Sequence, residues 1–265
     1  MKNIAIVTGA GGGLGREFVK LLLPEADELW AISRNRARLD ELFIEYGPKV
    51  VPVCLDLSRR ESIDAVDSML SQDDYNVVYL VNNAGFGKFG DYADIGVAES
   101  LNMIDVNVCA TVGLCGVALK KMSGGGKIVN VASIAAFQPL PYMNVYAATK
   151  AFVRNYTRAL NVELKSRGIT ATAVCPGWMK TGFMERGDIG AKHNVTRFKH
   201  PTLPSKVAAK AIADAKKGKD VSVCGGYNKL CHAASKAFTQ KQMMRLWLGQ
   251  QSIRPEKYKG KKNKE

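Results

Sequence analysis

The chain has 265 residues, 46% of them hydrophobic and 23% charged, a balance that excludes a disordered polymer and allows a sizeable core in one or two domains. Lys and Arg outnumber Asp and Glu by 38 to 24, and the net charge of +14 points either to a solvated basic surface or to an acidic partner such as nucleic acid. No apolar run approaches the roughly 18 residues of a membrane-spanning helix, and Met1-Lys2-Asn3 leads into a strand-like run where a secretory signal would place a longer apolar one.

The first strand-like run, 4–8, passes into Thr8-Gly9-Ala10-Gly11-Gly12-Gly13-Leu14-Gly15 and then into a segment of helical apolar spacing at 16–23. A glycine-rich turn between strand and helix brings backbone N–H groups and the positive helix end to a pyrophosphate, where a Cβ would obstruct the approach. Its alternative is a flexible turn, and its place directly after the first strand favours the nucleotide. Six further Val-, Ile- and Ala-rich runs follow at 29–33, 50–55, 77–82, 127–132, 170–175 and 221–224. Their near-continuous hydrophobicity predicts strands covered on both faces. Helical spacing recurs between them at 63–70, 101–121 and 145–167. The alternation predicts one α/β domain of Rossmann type, a doubly wound seven-stranded parallel sheet with helices on both faces and a C-terminal helical extension. Neither a linker nor an internal repeat interrupts it.

The second run ends in Ser33-Arg34-Asn35-Arg36 without an acid. Dinucleotide sites place Asp or Glu here for a ribose 2′-hydroxyl and Arg for a 2′-phosphate. Arg34 offers such a phosphate a bidentate, charge-assisted contact, which makes NADP(H) the expected cofactor. Arg36 and Arg38 read as an exposed helix start.

Gly9, Gly13 and Gly15 form T-G-x-x-x-G-x-G, Asn82-Asn83-Ala84-Gly85 closes the fourth run, and Asn107 follows in the next helix. Ser133 ends the fifth run, Tyr146-Ala-Ala-Thr-Lys150 lies thirteen residues beyond it, and Pro176-Gly177 with Thr181 follows the sixth. In this order the motifs resemble the short-chain dehydrogenase/reductase family over about residues 3–225. The resemblance implies a dinucleotide-binding catalytic domain over 1–227 and a cofactor site built from Thr8, Gly9, Gly11, Gly13, Leu14, Gly15, Ser33, Arg34, Asp56, Leu57, Asn83, Ala84, Gly85, Tyr146, Lys150, Pro176, Gly177 and Thr181. Within it Asp56 matches the position that meets the adenine amino group; its alternative is a helix N-cap, a task for which Ser58 is the better candidate. Asn83 is expected to brace the sheet or touch the cofactor.

The resemblance implies a catalytic set of Asn107, Ser133, Tyr146 and Lys150, and each residue type suits hydride transfer at a carbinol carbon, where a proton must move on or off the oxygen. Tyrosine is a weak base at neutral pH unless its phenolate is stabilised. Tyr146 and Lys150 share one helix face, so the ammonium is expected to lower the tyrosine pKa. Ser133 would hold the substrate oxygen, and Asn107 would fix a water relaying protons from Lys150.

Residues 178–205 break the rhythm and read as a loop with short helices, a substrate lid. Phe86, Phe89, Ile134, Phe137, Leu140, Tyr142 and Trp178 are expected to wall an apolar pocket, with Arg186, Lys192, Arg197 and Lys199 about its mouth. An amphipathic acid of the hydroxysteroid or bile-acid kind fits this description. A 3-oxoacyl thioester or general carbonyl substrate is the alternative, and a non-catalytic dinucleotide sensor or membrane-surface protein the alternative of another class. Residues 228–253 read as the helical extension, with Thr239 and Gln242 as a capping box ahead of Met243, Met244, Leu246, Trp247 and Leu248. This helix is expected to close the pocket or pack on a second subunit, with peripheral membrane contact the other option. Residues 254–265 read as a basic flexible tail. Family members assemble through the helices carrying Asn107 and Tyr146, which implies a homodimer or homotetramer.

Residues 1–185 hold 19 basic and 19 acidic side chains, whereas 186–265 hold 19 and 5, so the +14 belongs entirely to the C-terminal third. No zinc-finger, RRM or aromatic-basic pattern supports a nucleic-acid partner. Six cysteines show no C-x-x-C pair and no metal-like cluster with the three histidines. Cys54, Cys175 and Cys224 fall in strand-like runs and read as reduced core thiols of a cytoplasmic protein.

Overall fold

The computed structural model describes residues 1–190 and 195–253. Its sheet has seven parallel strands in the order β3-β2-β1-β4-β5-β6-β7. They are β1 (Lys2–Thr8), β2 (Glu28–Ser33), β3 (Val50–Cys54), β4 (Tyr75–Asn82), β5 (Lys127–Val131), β6 (Thr170–Val174) and β7 (Val221–Ser222). Alternate side chains of β1 serve opposite faces of the sheet. Ala5 and Val7 join a core with Phe18, Val19, Leu39, Ala208 and Ala211, whereas Ile4 and Ile6 join one with Val66, Leu70, Leu114 and Leu160. The first core packs α1 (Gly13–Leu22), α2 (Arg36–Tyr46) and α8 (Pro204–Lys216) on one face; the second packs α3 (Glu61–Ser71), α5 (Ala110–Lys120) and α6 (Asn144–Glu163) on the other. The strand order reverses between β1 and β4, so their carboxyl ends open a crevice between diverging connections.

α4 (Tyr92–Ile104), a π-helical turn (Asp105–Cys109) and α5 follow one another directly, with a kink inside α4 at Gly96 (φ +72°, ψ 166°). Contrary to the sequence expectation, this 29-residue stretch is long and apolar enough to cross a membrane, yet half of its apolar window is buried within the fold. Its apolar side supplies core contacts to α3 and α6.

β7 is shorter than the predicted run, because the chain turns at Gly225 (φ +93°) into α9 (Gly226–Ala237). Cys175 is buried as expected, but Cys54, at the carboxyl end of edge strand β3, is exposed and Cys224 half-buried. Ser58 caps no helix, since α3 begins at Glu61 after Arg60. The segment after β6 holds one short helix, α7 (Phe183–Gly187), before α8. Lys192 and residues 254–265 lie outside the described residues. The extension is two helices, α9 and α10 (Gln240–Gln251), and Thr239 and Gln242 form the predicted capping box at the start of the second.

Candidate active site

A cavity of about 980 Å³ occupies the crevice. At one end lies the loop between β1 and α1. Gly9 takes φ +62°, and a Cβ there would come within 2.9 Å of Asn83 Nδ2 and 3.0 Å of Ala84 Cα. A Cβ at Gly15 would overlap the Gly9 carbonyl oxygen, so α1 can start this close to β1 only with glycine. The loop thus presents bare backbone at Gly11, Gly12 and Gly13 to the cavity, ahead of a helix whose N-cap, Gly12, supplies no side-chain acceptor. This is a cradle suited to a dinucleotide pyrophosphate.

Two predicted cofactor residues stand behind the cavity wall. Gly15 serves the packing just described. Thr8 Oγ1 accepts from the N–H groups of Asn83 (3.0 Å) and Ala84 (2.9 Å), tying the end of β1 to that of β4. Asn83 Nδ2 donates in return to the carbonyls of Thr8 and Gly9, at 3.0 and 3.2 Å. The other predicted cofactor residues, Gly9, Gly11, Gly13, Leu14, Ser33, Arg34, Asp56, Leu57, Asn83, Ala84, Gly85, Tyr146, Lys150, Pro176, Gly177 and Thr181, all line the cavity.

At the β2 end Arg34 lies 3.9 Å from Asp56 Oδ1, and Asp56 in turn accepts from Ser58 N (3.1 Å) and Ser58 Oγ (2.9 Å). Asn35 caps α2 by accepting from Arg38 N at 3.1 Å. That cap swings Arg38 across the glycine loop, where its Cβ would sit 2.9 Å from a Cβ on Gly11. Arg36 and Arg38 are exposed at the start of α2, as read, and both border the cavity together with Arg34. Asn35 as N-cap was the signal for that placement.

Ser133, Tyr146 and Lys150 come together in the cavity wall. Ser133 closes β5 and caps the short 3₁₀ turn Ile134–Phe137, its Oγ accepting from Ala135 N at 3.1 Å. The Ser133 side chain also acts on the Tyr146 phenol, drawing its pKa down. Lys150 lies one turn along α6, with Nζ 5.9 Å from the Tyr146 ring centre and donating to Val131 O at 2.8 Å. Burial pushes Tyr146 up to about 12, against the pull of Ser133, and lowers Lys150 to about 8. The expected lowering of the tyrosine by its lysine is absent: both side chains are at least nine-tenths buried, and desolvation penalises each charged form.

Asn107 does not reach the cavity. It sits in the π turn, where Oδ1 accepts from Phe86 N at 3.1 Å and Nδ2 donates to Phe86 O and Thr149 Oγ1, both at 3.0 Å. Its side chain clamps the loop after β4 onto α6. A Cβ at Gly85 would lie 2.8 Å from Asn107 Oδ1 and 3.1 Å from Lys150 Nζ, so these two groups close on Gly85 from either side.

Beyond Tyr146 the wall is apolar. Phe86, Ile134, Phe137, Leu140 and Trp178 line it as expected, with Phe183 of α7 added. Phe89 and Tyr142 do not: Phe89 is fully buried among Trp178, Phe183 and Phe198, and Tyr142 packs against the same cluster. Arg186, Arg197 and Lys199 stand at the rim. α9 and α10 complete the enclosure through Tyr227, Leu230, Met243, Leu246 and Trp247, so the extension closes the pocket. Two hydrogen-bonded ties hold α10 there. Trp247 Nε1 donates to Pro141 O at 3.0 Å, and Gln251 grips the lid by accepting from Arg197 N (3.0 Å) and donating to Arg197 O (3.1 Å).

Residues 3–189 match the family model described as short chain dehydrogenase. An uncharacterized oxidoreductase of Staphylococcus aureus strain MRSA252 is 31% identical over 218 residues, covering 80% of this chain and 88% of its own. A short-chain dehydrogenase from Sphingobium yanoikuyae, solved in complex with NADPH, superimposes with a TM-score of 0.75 at 26% identity, over 97% of this chain and 98% of its own. One from Streptomyces avermitilis gives a TM-score of 0.76 at 24% identity over 94% and 95% of the two chains, a likeness of fold.

Proposed function

The chain belongs to the short-chain dehydrogenase family and is an oxidoreductase acting on CH–OH groups, and from that premise we propose that it uses NADP(H) to interconvert a secondary alcohol and a ketone on a bulky, amphipathic, anionic substrate of the hydroxysteroid or bile-acid kind. The observation that carries this reading is that Ser133, Tyr146 and Lys150 line one cavity that extends from the glycine loop to an apolar wall with a basic rim.

The protein's own groups fit the cofactor. Gly11, Gly12 and Gly13 would take the pyrophosphate, Asp56 the adenine end, and Arg34 with Arg38 a 2′-phosphate. Bound nicotinamide would supply or accept the hydride. Tyr146, a neutral phenol at pH 7, is the proton donor to a carbonyl oxygen being reduced, and Ser133 holds that oxygen in line by a hydrogen bond. Lys150, held by Val131 O, would bind the nicotinamide ribose, and Asn107 ties the loop after β4 to α6. Arg186, Arg197 and Lys199 favour a carboxylate at the rim while the aromatic wall takes the rings. A homodimer or homotetramer is part of the proposal, supported by the exposure of Leu101, Ile104, Val112, Phe152 and Val162 on α4 to α6.

A ketone panel offered with NADPH and NADH tests the proposal. Oxo-bile acids with NADPH are expected to turn over fastest, ahead of 3-oxoacyl thioesters. Faster turnover of small uncharged ketones would overturn the substrate reading, and a preference for NADH the cofactor reading.

A further inference from the structure

The carboxylates of the C-terminal third are few, and those among the described residues are already engaged. Among the described residues beyond Asp188, Asp214 is buried with Lys210 at 2.7 Å, Lys219 at 3.0 Å and Ser222 at 2.8 Å, and Asp220 pairs with Arg158 at 2.7 Å. Residues 221–253 contain no Asp or Glu at all. They carry Lys229, Lys236, Lys241 and Arg245, all exposed, and none of these has a carboxylate partner among the described residues. The segment that follows adds five lysines within 257–264.

The two helices and the turn between them expose large apolar side chains: Leu230 on α9 is 66% exposed, Phe238 in the turn 50% and Leu246 on α10 51%. Scattered singly, such residues are ordinary on a protein surface. Here they adjoin. Phe238 and Leu246 border one shallow groove with Lys199 and Arg245, and Leu246 and Leu230 also border the catalytic cavity. Groove and cavity share Lys199, Leu246 and Gln250, so the exposed patch surrounds the way in.

A nucleic acid would use the cations and leave the apolar groups in water. An anionic bilayer surface takes both, the apolar side chains entering the interface and the cations meeting headgroups. We propose that the α9–α10 hairpin docks the protein on a bilayer containing anionic phospholipid, with Leu230, Phe238 and Leu246 inserted and Lys229, Lys236, Lys241 and Arg245 against the headgroups. The cavity then opens at the lipid surface, where amphipathic molecules concentrate.

Co-sedimentation of the full chain with phosphatidylcholine vesicles, with and without phosphatidylglycerol, tests this. The protein is expected to pellet with the anionic vesicles only and to be released by raised salt. The triple variant K236Q/K241Q/R245Q alters no cavity-lining residue and should bind about a hundredfold more weakly, at about fivefold per basic group near the surface. Phe238→Ser should release at lower salt than the wild type. No pelleting, or equal pelleting with neutral vesicles, would overturn the proposal. So would wild-type binding by the triple variant, which would assign the attraction to 254–265. Displacement from the vesicles by an equal mass of polyuridylic acid would overturn it in favour of a nucleic-acid partner.

Discussion

Tyr146 and Lys150 stand one helical turn apart, and burial acts on them in opposite senses, raising the phenol to about 12 and lowering the amine to about 8. The consequence for stability has a definite sign. Between about pH 8 and 10 the unfolded chain keeps the Lys150 proton that the folded chain has released, so stability rises with pH through that window. Tyr146 acts in the opposite direction only above the ordinary tyrosine value near 10. At about 1.4 kcal/mol per unit, the Lys150 contribution amounts to about 2 kcal/mol over the window. Urea unfolding at its two ends checks this against Lys150→Met: the stability difference between the two proteins should change by about that amount, in favour of the wild type at high pH. A difference independent of pH would contradict a lysine lowered by burial. Which residues meet was legible in the sequence, because Y-x-x-x-K on a helix has one geometry. Which charge effect wins was not, since desolvation depends on what covers the pair from β5, the loop after β4 and α7. Asn107 shows the same limit: its place in the helix was legible, but the Phe86 and Thr149 partners that occupy its side chain come from distant segments.

Among the elements, α10 does the most for its length. Its capping box was readable from Thr239 and Gln242, and its apolar stripe from Met243, Leu246 and Trp247. Its grip on the lid was not, because Gln251 meets a backbone 54 residues away in a segment without regular structure. The paired hydrogen bonds to Arg197 are those one strand offers another, and Gln251 is buried as it makes them. Gln251→Leu removes both, a loss of about 1–3 kcal/mol to the closed lid. Tryptic cleavage after Arg197 and Lys199 should then quicken by about tenfold or more, with little change in global melting. Unchanged cleavage would mean that the lid is held by other contacts. Apolar periodicity does not reveal α8, because alanines carry its buried face, and it reveals only the start of α2, at Arg36, because polar residues nearly encircle Leu39 and Leu42.

Over the whole molecule, the strand count, the parallel order and the single domain followed from seven apolar runs separated by helical segments, because a strand covered on both faces must be apolar throughout. The charge told less at first. A neutral body and a basic C-terminal third were legible, but only the packing shows that, among the described residues, Asp214 and Asp220 are spent on Lys210, Lys219 and Arg158, and that α10 sets Arg245 in a groove that shares Lys199, Leu246 and Gln250 with the cavity. One cavity thus has two basic ends, with the glycine loop at the first, an apolar wall towards the second, and Tyr146 in the wall between them. Replacement of Tyr146 by Phe tests its role as proton donor most directly, with NADPH binding followed by fluorescence and NADPH oxidation followed on the best ketone of the panel. Binding close to that of the wild type with turnover lowered by about a hundredfold or more is the predicted result; turnover near the wild-type rate would contradict it.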